Sequence, residues 1–174
     1  MIQPQYGRID LATALALIAS EQERNGQPQA LFAAFDRYCA ESVGHKLFTL
    51  LAWAPESNDV HRLYTSRPQE YPLLGRKAMG PTEWGALVLK GGQSWIGYTA
   101  DDMRWAFPDH ELIASLDCAA CISSPVLWDG KVLGVVSALG PENAYHEADL
   151  AGLDAIAPLL AAGFLAAGFL AARA

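Results

Sequence analysis

No segment of this chain is spaced like a glycine-rich phosphate loop or a Ser-His-Asp triad. Its metal-ligating residues are scattered, with Cys39, His45, His61, His110 and His146 in no ligand spacing with the Cys118-Ala-Ala-Cys121 pair. Phosphate cradling by a P-loop, serine-hydrolase chemistry and a structural zinc site, which takes four ligands, are therefore not indicated. Positive charge is also scarce. Twelve Lys and Arg stand against 19 Asp and Glu, a formal charge of −7, which repels nucleic-acid phosphates and anionic lipid surfaces and excludes both as expected partners. The chain has only 3 cysteines, an odd number, and no secretory signal over Met1 to Tyr6. Free thiols in a reducing cytoplasm are the expectation. The tandem AAGFL of residues 161–170 is too short to mark a repeat architecture.

The most informative stretch that is present runs from Cys121 to Leu139, CISSPVLWDGKVLGVVSAL. Two apolar runs, one with Val126, Leu127 and Trp128 and the other with Val132, Leu133, Val135 and Val136, flank Asp129-Gly130. That dipeptide suits the positive φ angles of a tight hairpin turn. Pro125 places the first run at a sheet edge or a bulge. Upstream, Asp10 caps an apolar helix, Pro28 opens a second with Leu31, Phe32, Phe35 and Cys39 on one face, and residues 46–54 and 60–66 form a first hairpin. Residues 67–80 read as a Pro- and Gly-rich loop crossing the sheet. Thr82 caps a helix that ends at Lys90-Gly91-Gly92, Ser94 to Tyr98 is a short strand, and Pro108 divides two short helical pieces. After His146-Glu147-Ala148-Asp149-Leu150 comes a terminal apolar helix. Its segment Leu153 to Ala172 is about the ~20 residues needed to span a bilayer, but Asp154, Pro158 and two glycines lower its apolar content. The expectation is a helix packed on its own sheet and on a partner subunit.

This order of elements predicts an α+β fold on a central antiparallel sheet, in one compact domain. Two features resemble the GAF domain family: the hairpin followed by an acidic helix start and a terminal helix, and the apolar-glycine-apolar passage Val88-Leu89-Lys90-Gly91-Gly92-Gln93-Ser94-Trp95-Ile96. The likeness runs from Pro28 to about Leu170. It implies a GAF-like domain over residues 28–174, preceded by an N-terminal helix over residues 1–27. The N- and C-terminal helices would lie on one face of the sheet, and the crossing loop and short helices on the other.

In that family a ligand lies between the sheet and the crossing segments, here Tyr71 to Trp84 and Trp95 to Ser124. The resemblance thus nominates Tyr71, Lys77, Trp84, Trp95, Trp105, Asp109, His110, Cys118 and Ser123 as ligand-binding residues. Each has a plainer reading: tryptophans as core, Asp109 as a helix N-cap, Lys77 as a solvated loop charge. The expected function is a stand-alone, cytoplasmic sensory or regulatory domain that binds a small polar or aromatic metabolite without catalysis, needs no cofactor, and forms a homodimer through its terminal helices. The alternative is a thiol-dependent reductase resembling free methionine-(R)-sulfoxide reductase, a member of the same family, with Cys118 as nucleophile and Cys121 as resolving thiol. That enzyme carries a Cys within a Gly-Cys-Gly segment at the start of the crossing helix, where this chain has Gly80-Pro81-Thr82-Glu83-Trp84-Gly85. The bilin-binding and cyclic-nucleotide patterns of the family are missing. A third reading is a pure interaction module whose terminal helix docks on another protein.

Overall fold

The structure, a computed structural model, describes residues 6–73 and 76–171. Two helices, α1 (Leu11–Gln22) and α2 (Gln29–Ser42), precede the strands β1 (Leu47–Ala54), β2 (Asp59–Thr65) and β3 (Lys77–Ala78). A π-helical segment (Gly85–Lys90), β4 (Trp95–Gly97), α3 (Ala100–Ala106) and α4 (His110–Ser115) follow. The hairpin β5 (Ala120–Trp128) and β6 (Lys131–Gly140) then leads to α5 (Glu147–Ile156), a 3₁₀ turn (Ala157–Leu160) and α6 (Ala161–Ala171). The strands form one six-stranded sheet in the order β3-β2-β1-β6-β5-β4, antiparallel at every pairing.

Strict alternation along the central strands divides the molecule into two layers. Phe48 and Leu50 of β1, Val136 and Ala138 of β6, and Ile122 and Val126 of β5 face the helices and join Phe32, Phe35, Leu153, Ile156 and Phe164 in the main core. Leu47, Leu51, Val135, Leu139 and Cys121 face the other way, into smaller clusters roofed by Tyr71, Trp84, Val88, Met103, Ala106 and Ile113. The sheet is thus a floor for the helices on one side and for the crossing segments on the other, which is the α+β GAF-like arrangement.

Local chemistry fixes the connections. Asp129 (φ 50°) and Gly130 (φ 71°) close the β5–β6 hairpin as expected. Asp10 accepts from the Thr13 N–H at 2.7 Å, and Thr99 and Asp102 cap α3 reciprocally. Pro125 sits in β5 beyond the three positions paired with β4, where β5 is the edge of the sheet, and stays in register with Val135 of β6. The bulge comes one step later, between Val126 and Leu127.

Three expectations are corrected. The crossing loop contributes β3, whose backbone pairs Lys77 with Val60. Thr82 does cap the next helix, with its Oγ1 accepting from Gly85 N–H at 3.0 Å. That helix, however, winds as a π turn, with Gly91 N–H donating to Ala86 O at 2.9 Å. The terminal helix is in three pieces, because Pro158 cannot donate a hydrogen bond and the chain tightens into a 3₁₀ turn there. The helical run Glu147–Gly168 is long and apolar enough to cross a membrane by length and composition, with 44% of its most apolar window buried in the protein.

Candidate functional site

On the face opposite the long helices, the sheet and its roof leave a cavity of about 90 Å³. Its floor is Leu47, Thr49 and Leu51 of β1, Val60 and Arg62 of β2, and Val135, Ser137 and Leu139 of β6. Its roof comes from Tyr71, Met79, Trp84, and the stretch from Ala106 to Asp109 with Ile113.

Beside the hydroxyls of Thr49 and Ser137, four polar groups set the chemistry of this largely apolar space. Arg62 is buried, with its guanidinium carbon 3.7 Å from the centroid of the Tyr71 ring and Nη1 donating to the carbonyl of Pro72. Among the described residues no carboxylate lies within ion-pair distance of it. The Tyr71 hydroxyl donates to Asp109 Oδ2 at 2.6 Å; burial first, and then that carboxylate, push its phenol well above the usual range. Asp109 makes no cap to α4 and spends its carboxylate on Tyr71. Trp84 is buried to 3% exposure, and its indole N–H is the one buried side-chain N or O among the described residues without a hydrogen-bond partner.

Of the residues nominated from sequence, Tyr71, Trp84 and Asp109 line the cavity. Trp95 and Trp105 do not. They stack on each other at 5.8 Å, and Trp95 meets the Phe107 ring edge-on at 5.9 Å, bracing that wall from behind. Trp105 donates its indole N–H to Glu83. His110 and Cys118 line a separate, more open depression with Met103 and Arg104. Ser123 stands one hydrogen bond away, its Oγ 2.9 Å from that of Ser137 and 3.4 Å from Cys121 Sγ. The Lys77 side chain lies outside the described residues. Cys118 and Cys121 are free and buried, and burial pushes their thiols up to about 11 and about 12, far from the thiolate a nucleophile requires at neutral pH.

Sequence reasoning passed over Arg62, Thr49 and Ser137. Ser137 was legible in principle, because it alternates with Val136 and Ala138 in a strand whose two faces are both buried. Arg62 was not. Period-2 alternation puts Arg62 and Tyr64 on the same face, but a bulge pairs Leu51 with Arg62 and Leu50 with Tyr64, leaving Leu63 unopposed. Arg62 therefore turns to the cavity, while Tyr64 turns to the helices and donates to Asp36 of α2 at 2.7 Å.

The GAF domain family model matches residues 50–164, and a search of curated proteins finds no match. Among solved structures, the GAF domain of a phosphoenolpyruvate-protein phosphotransferase from Coxiella burnetii superposes with a TM-score of 0.71 at 18% identity, covering 92% of this chain and 96% of that one. Free methionine-R-sulfoxide reductase from Neisseria meningitidis, solved with its substrate, gives 0.66 at 21%, covering 90% and 89%. The phycocyanobilin-bound GAF domain of a cyanobacterial phytochrome gives 0.68 at 14%, covering 88% and 93%. At such identities the likeness is one of fold.

Proposed function

This chain belongs to the GAF domain family, a ligand-binding sensory fold, and from that premise we propose that it is a cytoplasmic sensory or regulatory domain that binds a small polar metabolite and performs no catalysis. One observation carries the reading. An apolar cavity between sheet and roof is lined by Arg62, a buried cation with no carboxylate partner among the described residues, and by Trp84, whose buried indole N–H has no acceptor. Leaving such a donor unsatisfied costs about 1–3 kcal/mol, and a bound ligand offsets that cost. The placement of both cysteines, buried, protonated and outside the cavity lining, supports binding over thiol chemistry. A metabolite library screened by thermal shift tests the reading. A ligand present at 100 times its Kd adds about 2.7 kcal/mol, or about 5–10 °C in Tm for a domain of this size. Flat melting curves across the library overturn it.

The same proposal includes a homodimer. α6 carries no charged side chain over Ala161–Ala171, and Leu165 on it is 41% exposed, a surface that a second copy would cover. Light scattering at micromolar concentration is expected to give twice the chain mass, and Leu165→Lys to give the monomer. A monomeric wild type rejects the dimer.

A further inference from the structure

Arg62 poses a question that the sensor reading leaves open. A guanidinium presents five N–H donors in a rigid fork suited to carboxylate recognition. Buried charges are ordinarily paired. Here Tyr71 covers one face of the guanidinium and Pro72 O takes one donor, while every carboxylate among the described residues lies beyond ion-pair distance. Asp109 is drawn off by the Tyr71 hydroxyl. Trp84, lining the same cavity, independently offers a buried donor with no acceptor. Arg62, a cation with no carboxylate partner among the described residues, and Trp84, with an unpaired indole N–H, line one space together with the apolar side chains of Leu47, Leu51, Val60 and Val135 and the hydroxyls of Thr49 and Ser137.

Resting on the sensor reading and sharpening it, the geometry points to a small monocarboxylate as the ligand, its carboxylate shared between Arg62 and the Trp84 indole N–H and its short alkyl part against the apolar floor. Size limits the occupant, since 90 Å³ is well under the ~150 Å³ of a cavity that takes benzene. Charge limits it further. Among the described residues Arg62 is the one cation lining the cavity, and Asp109 on the same wall already adds a negative charge, so each further anionic group on the ligand costs more and dicarboxylates and inorganic phosphate bind more weakly.

The full chain is titrated at constant ionic strength with acetate, propionate, lactate and pyruvate, and in parallel with propionamide, propylamine, succinate and phosphate. Tm and the indole ¹H–¹⁵N resonances are read together. The monocarboxylates are expected to raise Tm and to move the Trp84 indole resonance downfield. Arg62→Met is expected to weaken their binding about 10- to 100-fold, the range of a charge-assisted hydrogen bond. If that variant does not fold, Trp84→Phe carries the test, with about a 10-fold loss. Carboxylate binding that survives Arg62→Met or Trp84→Phe unchanged overturns the assignment. So does a response to the amide or amine without one to the carboxylates, or to succinate or phosphate as strong as to propionate; in those cases the sensor reading stands. Silence from these probes alongside hits in the wider library also overturns the carboxylate alone. Silence from both overturns the sensor reading with it.

Discussion

Gly134→Ala is expected to lower the thermal midpoint by roughly 6–12 °C, from a cost of about 3 kcal/mol at the upper end of ordinary overpacking. β6 is flanked by β1 and β5 at the centre of the sheet, and Gly134 is registered opposite both Ala52 and Val126. A Cβ built there lies 2.1 Å from the Leu51 carbonyl oxygen, 3.0 Å from the Ala52 Cα and 2.5 Å from the Phe164 ring. The ring can turn. The backbone of β1 cannot move without disturbing Leu50 in the main core and Leu51 in the cavity floor, and this is why the cost falls at the high end. Gly168→Ala is the matched control. It makes the same chemical change in α6, where a Cβ meets nothing within 4 Å, and its helix propensity favours alanine by up to about 1 kcal/mol. Melting curves of the two variants decide the matter. A Gly134→Ala midpoint within about 2 °C of wild type rules out a backbone clash at this position.

The contrast between Gly134 and Arg62 shows what could be read from the chain and what could not. The hairpin of Cys121 to Leu139 was legible because its determinants are local: Asp129-Gly130 accepts positive φ, and the flanking runs alternate between two buried faces. The split into two layers followed from the resemblance to GAF domains. The cavity did not follow so directly. Its roof was placed correctly as a region, since Tyr71, Trp84 and Asp109 line it, yet the role of Asp109 depends on a partner 38 positions away. An Asp ahead of a short helix has the sequence signature of an N-cap, and only the tertiary approach of Tyr71 diverts it. Arg62 was hidden by a single bulge that reverses the phase of β2. β3, two residues long, is too short to show any period. Trp95 and Trp105 shared the composition of a ligand wall but stack on one another behind Phe107, because an aromatic-rich segment satisfies both roles equally well in sequence.

Asp149→Asn carries the other large expected effect, and its size changes with pH in a way that identifies the cause. Asp149 is 1% exposed. Its carboxylate accepts from the Arg8 backbone N–H at 3.2 Å, Arg8 Nε at 3.1 Å, Arg8 Nη2 at 2.8 Å and the His146 N–H at the start of α5 at 3.0 Å. Gly7, at φ +60°, lets the N-terminal segment pass this close, since a Cβ there would meet Asp149 Oδ1 at 2.6 Å. Burial on its own would raise the carboxyl pKa, but the hydrogen bonds from Arg8 and His146 outweigh it and hold the group below its ordinary 3.8. The native state therefore binds fewer protons than the unfolded state between those two values. The stabilisation is present in full above the unfolded value and is lost as pH falls through the folded one. Arg8 is 45% exposed, which places the cost of the substitution at about 2 kcal/mol at pH 7, below that of a fully buried pair. Urea unfolding of both proteins from pH 7 to pH 3 is the measurement. Other carboxylates that titrate in this range are common to both proteins and cancel in the difference, so the gap is expected to be widest at neutral pH and to narrow below about pH 4. A gap that stays constant down to pH 3 assigns the loss to packing and refutes the ionic account, and no gap at pH 7 refutes the role of Asp149 altogether.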